Sequence, residues 1–247
     1  MTRELYDEIG AGYQTYRRPD PRIAAAIARA LGDADTVLNV GAGAGSYEPQ
    51  DRRVVAVETS LAMIRQRSAG SAPVVQASAT DLPFRDASFA AALAVLTLHH
   101  WPDKPRGLAE LARIARPRVV ILTWDPAAPG FWLTRDYFPD LIAIDRPTFP
   151  SLEEIRSFLG RIEVEALPIP HDCTDGFLGA YWRRPRAYLD AGVRGAISTF
   201  TRLTTLEPGL THLRRDLDDG TWERRHGALL ARRELDLGYR IVIATMG

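Results

Sequence analysis

Cysteine is nearly absent: Cys173 is the only one in 247 residues, so no disulfide can form within the chain and a reducing compartment is the natural expectation. Lysine is as scarce, with Lys104 alone, yet 31 basic residues balance 31 acidic ones, and the formal charge is zero. No global field therefore favours nucleic acid, an anionic membrane or an acidic partner. Long apolar runs are missing too. The opening MTRELYDEIGAGYQTYRRPD carries charges and tyrosines where a signal peptide needs an apolar core, and nothing approaches the length of a membrane span. Repeats, low-complexity tracts and linkers are also lacking. A chain of this length with 46% hydrophobic residues is expected to be one cytoplasmic α/β domain, monomeric or homodimeric.

What is present begins with short, nearly continuous apolar runs at 36–40, 54–57, 74–76, 91–96 and 119–123, the pattern of parallel strands buried on both faces. Residues 21–31 place Ile23, Ala26, Ile27, Ala30 and Leu31 at helical spacing behind Pro21. SLEEIRSFLG, from Ser151, has an N-cap, Glu154 at the capping-box position and Gly160 as terminator. A strand follows from Arg161, residues 187–233 read as mainly helical, and LGYRIVIATM, from Leu237, reads as an edge or antiparallel closing strand. Between the first two strands, the 13 residues 41–53 contain Pro49, so any helix there must be very short.

The segment VLNVGAGAGSYE, residues 37–48, joins the first strand to glycines at 41, 43 and 45, and the second apolar run closes on Glu58. Glycines allow close backbone approach to a ligand, and a carboxylate at a strand end can accept both hydroxyls of a ribose. Together they describe a site for a nucleoside-bearing cofactor.

Further along, LPFRDASF at 82–89 and LHH at 98–100 occupy the positions expected of a connecting loop and a fourth strand's end. With the glycine loop, Glu58 and residues 108–126 they give the stretch 33–126 a pattern that resembles class I S-adenosylmethionine-dependent methyltransferases, in the small-molecule, methyltransferase type 11-like group. The resemblance implies a Rossmann-like fold: a mostly parallel seven-stranded sheet with helices on both faces, an antiparallel last strand and helical cap elements. It implies an N-terminal helical lid over residues 1–32, a cofactor core over 33–126 and acceptor-side inserts beyond. Gly41, Ala42 and Gly43 would lie along the donor's methionine portion, Glu58 would hold the ribose, and Thr59 and Met63 would flank the adenine. Ser78, Ala79 and Thr80 would sit near the adenine edge, and Val95 near the sulfonium. Tyr13 and Arg18 are expected to close over the donor and Tyr16 over the acceptor, an arginine of the pair 17 and 18 meeting the donor carboxylate. Two positions depart from the family's pattern: Asn39 stands where an acidic residue is usual, and Ser78 where an aspartate is frequent.

On the acceptor side, His99 and His100 follow the fourth strand, where ligands gather in open α/β sheets, and a neutral imidazole there can take a proton. His171, next to Asp172 and near Asp175, is a second candidate base, unless those aspartates cap a helix. Trp132, Tyr181 and Trp182 are candidates for an aromatic acceptor wall, although aromatics equally fill cores. A metal site of His99, His100 and Asp103 is not expected, because adjacent side chains on a strand end point apart. His212 and His226 fall in an arginine-rich, acid-interleaved tail that reads as a solvated face. The reading is transfer of a methyl group to an oxygen, nitrogen or carbon of a small molecule, with no nucleic-acid or membrane partner. The alternatives are an NAD-dependent oxidoreductase, weakened by Ser46 at the last glycine position of GxGxxG, and a methyltransferase-like binding protein without chemistry.

Overall fold

Strand β1 (Thr36–Val40) lies parallel between β2 (Arg53–Glu58) and β4 (Phe89–Val95) in the computed structural model, which describes residues 13–246, with the side chains of residues 13 and 14 left aside. β3 (Val74–Gln76) extends the sheet beyond β2, and β5 (Ala115–Trp124) lies beyond β4. The antiparallel strand β9 (Tyr239–Thr245) then pairs on one side with β5 and on the other with β6 (Ile162–Ala166). The seven-stranded order is therefore β3-β2-β1-β4-β5-β9-β6, with a two-stranded ribbon of β7 (Ile169–Pro170) and β8 (Glu234–Leu235) beside it.

β9 is antiparallel as its sequence suggests, but it is interior rather than an edge, because β6 takes the outer place. Its Ile241, Val242, Ile243 and Ala244 are all buried, as two covered faces require. No helix forms between β1 and β2, where turns alone span the gap that Pro49 restricts.

Helix α1 (Tyr13–Tyr16) precedes α2 (Pro21–Leu31), whose N-cap Asp20 accepts from the Arg22 amide and whose Ile23, Ile27 and Leu31 are buried. Those side chains join Val37, Leu93 and Val120 in one core cluster, so α2 covers the sheet, while residues 13–20 run beyond it. Helix α3 (Leu61–Arg65) starts at Ser60, whose hydroxyl accepts from the Met63 amide. α4 (Lys104–Ile114) packs Leu108, Leu111 and Ile114 into the core of the opposite face. The insert after β5 forms a π-helical turn at Leu133–Tyr137 and then α5 (Pro139–Asp145). α6 (Leu152–Leu159) has the capping box at Ser151 and Glu154 that its sequence announces. Residues 187–233 fold as short helices, the longest being α8 (Glu207–Asp218), after α7 (Ala191–Gly195) and before α9 (Thr221–His226).

This order makes a topological switch: the chain leaves β1 toward β2 and β3, then crosses to β4 on the other side of β1. Loops leaving β1 and β4 diverge there, and a crevice opens at the strands' carboxyl ends.

Candidate active site

The crevice holds a cavity of about 580 Å³. One half is built by the ends of β1, β2 and β4, through Asn39, Gly41 to Ala44, Glu58, Thr59, Met63, Ser78, Ala79 and Val95 to Thr97. Gly41 has φ +72, and a Cβ there would lie 2.0 Å from Thr97 Oγ1, so only glycine allows this backbone to pass beneath β4's end. Glu58 organises the loop. Its Oε2 accepts the Gly43 amide at 2.7 Å, and its Oε1 accepts the amides of Thr59 and Ser60, each at 2.9 Å. A carboxylate offers about four lone-pair positions, so hydroxyls of a ligand can still bind it.

Asn39 donates weakly to Glu48 at 3.5 Å, while its buried Oδ1 has no partner among the described residues. Glu48 is itself held by Arg67 at 2.6 Å. A partnerless amide oxygen in this wall offers an acceptor for an N–H of a bound ligand, which an ammonium supplies.

The other half of the cavity lies under the insert that follows β5. Phe131, Thr134, Ile142, Asp145 and Phe149 line it from one side, and Phe177, Ile197, Thr199 and Tyr239 from the other. His99 and His100 sit between the halves on a short 3-10 turn, Leu98–His100. The turn brings their rings together, with centroids 3.8 Å apart, where a strand would have separated them. His99 stacks on Phe149 at 4.1 Å, and its Nδ1 is buried without a hydrogen-bond partner among the described residues. Burial, and secondarily His100, holds His99 well below the usual imidazole range, while burial brings His100 down to about 4. Both rings are therefore neutral near pH 7.

Asp145 ends α5 and is buried, its carboxylate accepting the Thr199 hydroxyl, with Oγ1 2.8 Å from each oxygen. Burial pushes Asp145 up to about 6, and only partly do Thr199 and Arg202 offset that rise. Nothing in LIAIDRPTF marks this residue in advance, since an aspartate at the end of an apolar helix reads as a surface boundary.

The N-terminal segment is tied across the crevice's rim. Arg17 lines the cavity and pairs with Asp175, which also accepts the Tyr47 hydroxyl at 2.9 Å. Tyr47 has φ +61, and burial and Asp175 hold its phenol well above the usual range. Arg22 joins Asp20 to Asp172, and the helical turn that follows, Leu178–Tyr181, is preceded by Phe177 at its N-cap, so neither Asp172 nor Asp175 caps it.

Of the residues singled out by sequence, the cavity gathers Gly41, Ala42, Gly43, Glu58, Thr59, Met63, Ser78, Ala79, Val95, His99 and His100. Thr80 is outside its lining, its hydroxyl 2.8 Å from that of Ser78. Arg18 is exposed, and Arg17 lines the cavity in its stead. Tyr16 is half-buried outside the lining, and the side chain of Tyr13 lies outside the described residues. His171 is half-buried away from the cavity, with its backbone amide on Arg233. Trp132 and Trp182 are fully buried core, their indole N–H groups donating to Trp182 and Ile169 carbonyls, and Tyr181 packs edge-on to Tyr188. His212 is partly exposed beside Asp216, but His226 is buried against Trp132 and Trp222, so that part of the tail is packed rather than solvated.

Residues 38–123 match the family model described as a methyltransferase domain. The solved structure of a putative methyltransferase from an antibiotic biosynthesis pathway of Anabaena variabilis is 34% identical, covers 94% of this chain and 99% of its own, and superposes with a TM-score of 0.87. An O-methyltransferase of Penicillium expansum, cnsE, is 36% identical over 100 residues, 34% of this chain and 36% of its own length. A demethylmenaquinone methyltransferase of Corynebacterium urealyticum is 32% identical over 108 residues, 41% of this chain and 47% of its own. The chain thus spans less than half the length of these two curated relatives. Neither an oxidoreductase nor a chemistry-free binding protein finds support among these matches. Sheet order, glycine loop, Glu58 and a full-length relative agree, and the chain belongs to the class I S-adenosylmethionine-dependent methyltransferases.

Proposed function

We propose that this protein binds S-adenosylmethionine in the half of the cavity beside Gly43 and Glu58 and methylates a small molecule held under the insert after β5. The observation that carries the reading is the placement of Glu58: a buried carboxylate at the end of β2, tied to the glycine loop, facing the cavity that the acceptor half shares. The sulfonium, when bound, supplies an electrophilic methyl group, so the chain's work is alignment and exclusion of water. In this reading Glu58 accepts the ribose hydroxyls, Gly41 to Gly43 leave room for the methionine portion, and Thr59 and Met63 flank the adenine, with Ser78 and Ala79 at its edge. Asn39 Oδ1 receives a hydrogen bond from the ammonium without adding a charge. Val95 lines the path to the reacting carbon, and neutral His99 and His100 close the acceptor's approach.

The acceptor half supports a small, largely apolar molecule, because aromatic and aliphatic side chains form most of its walls. Among the described residues no helix is long and apolar enough to cross a membrane, and the buried thiol of Cys173, pushed up to about 12 by burial, suits a reducing compartment. We place the enzyme in the cytoplasm. Calorimetric titration with S-adenosylmethionine and with S-adenosylhomocysteine tests the assignment. Saturable binding of both is expected, and no heat from either at millimolar concentration overturns it.

A further inference from the structure

We propose that Asp145 is the proton acceptor of the methyl transfer, and that the acceptor is an uncharged molecule presenting a hydroxyl group on an aromatic or apolar body. The inference rests on the methyl-transfer reading and assigns the chemistry at its acceptor end.

Four observations carry it. Asp145 is 7% exposed, yet it lines the cavity rather than the outer surface. Among the described residues its carboxylate has one hydrogen-bond donor, the Thr199 hydroxyl, which can give its single hydrogen to only one oxygen at a time. No arginine or lysine forms an ion pair with it among the described residues, so its carboxylate keeps accepting capacity that Thr199 does not use. Finally, it belongs to the wall that the histidines touch: the Phe149 amide donates to the Asp145 carbonyl at 3.1 Å, and the Phe149 ring stacks on His99. Buried polar groups are normally paired, and a carboxylate left with one neutral partner in an apolar chamber is matched by a ligand that brings a donor.

The charge of the chamber selects the ligand. Besides Asp145 and the two neutral imidazoles, the lining holds the Tyr239 phenol, which burial keeps protonated, and Arg17, engaged by Asp175, while Arg202 stands close enough to offset part of the rise in Asp145. A carboxylated or phosphorylated acceptor would meet the negative charge of Asp145, and the one arginine among the described residues of the lining, Arg17, is already engaged by Asp175. An ammonium would share a small cavity with the donor's sulfonium. A neutral hydroxyl avoids both costs.

Proton transfer then balances. The acceptor oxygen bonds to the methyl carbon, the carbon–sulfur bond breaks with its electron pair passing to sulfur, and the hydroxyl proton moves to Asp145, to be returned to water on product release. Burial raises the proton affinity of Asp145 and lowers that of His100, which favours the carboxylate as the group that takes the proton.

The test uses 4-nitrophenol, whose absorbance distinguishes phenol from phenolate, titrated into the full chain with S-adenosylhomocysteine present. The wild type is expected to bind the protonated phenol and to disfavour the phenolate. Asp145→Asn preserves shape and the bond to Thr199, and is expected to shift that preference toward phenolate by about tenfold. Thr199→Val, a second variant that leaves the carboxylate in place, should keep the preference for phenol. Equal preference in wild type and Asp145→Asn overturns the role of Asp145. Failure of the wild type to bind 4-nitrophenol, or tighter binding of benzylamine, overturns the hydroxyl acceptor. Binding of S-adenosylhomocysteine alone, measured first in each variant, separates these outcomes from failure of the methyltransferase reading and from misfolding.

Discussion

Asp175 accepts the Arg17 Nε–H at 2.6 Å across 158 positions of sequence, and the same carboxylate takes the Tyr47 hydroxyl at 2.9 Å. One buried acid thus fastens the N-terminal segment to the glycine loop's far end. Asp175→Ala removes three hydrogen bonds, two from Arg17 and one from Tyr47, and is expected to cost about 2–4 kcal/mol, measured by urea unfolding. Trypsin should then cut faster after Arg17, whose backbone is otherwise pinned by the Gly176 amide on the Tyr16 carbonyl. An unchanged cleavage rate would show that the pairing does not restrain this segment.

Gly41→Ala is expected to be among the most damaging single changes, because it adds a Cβ 2.0 Å from Thr97 Oγ1 at φ +72. Backbone strain of about 1–2 kcal/mol and overpacking of about 1–3 kcal/mol add together. Thr97→Gly removes the collision but not the strain, so a double-mutant cycle should recover only the overpacking part. Strict additivity would locate the whole cost in the backbone.

Glu58→Gln turns one of the two oxygens that together accept three backbone amides into an N–H₂, so at least the Gly43 amide, or else those of Thr59 and Ser60, meets a donor. Stability should fall by about 1–3 kcal/mol, and affinity for S-adenosylhomocysteine by roughly tenfold to hundredfold. Unfolding and calorimetry read the two effects separately. Destabilisation with undiminished affinity would restrict the carboxylate to holding the loop.

Opposed titrations should appear between about pH 4 and 6.5. Asp145 is raised in the folded state, so its contribution is complete below its unfolded value and is lost as pH rises toward 6. Relative to wild type, Asp145→Asn should therefore gain stability over that rise, by about 3 kcal/mol at full ionisation, from about 1.4 kcal/mol per pH unit. His100 is depressed, so its burial destabilises as pH falls from 6.5 toward 4, and His100→Asn should gain over the descent. Urea unfolding of both variants across the window checks the signs.

Half of the cavity was legible in the sequence because its residues sit at strand ends whose positions follow from apolar runs. Gly41, Gly43 and Glu58 needed only β1 and β2 to be drawn correctly. The acceptor half needed tertiary information. Asp145 and Thr199 are 54 positions apart, on elements with no shared motif, and only packing of the insert against residues 187–233 joins them. The aromatics Trp132 and Trp182 drew attention for their size, yet size is also what fills a core, and their indole N–H groups are spent on backbone carbonyls. Likewise, the choice between Arg17 and Arg18 depends on which face of an extended segment turns inward, which adjacent identical residues cannot reveal.

The interior place of β9 has a consequence for how this molecule comes into being. β6 reaches the sheet solely through Tyr239–Thr245, a strand made some 70 residues later, so roughly the last third of the chain must be synthesised before the sheet can close. Until then β5 presents an unprotected apolar margin on the ribosome, the moment at which a nascent chain most needs shielding from its neighbours.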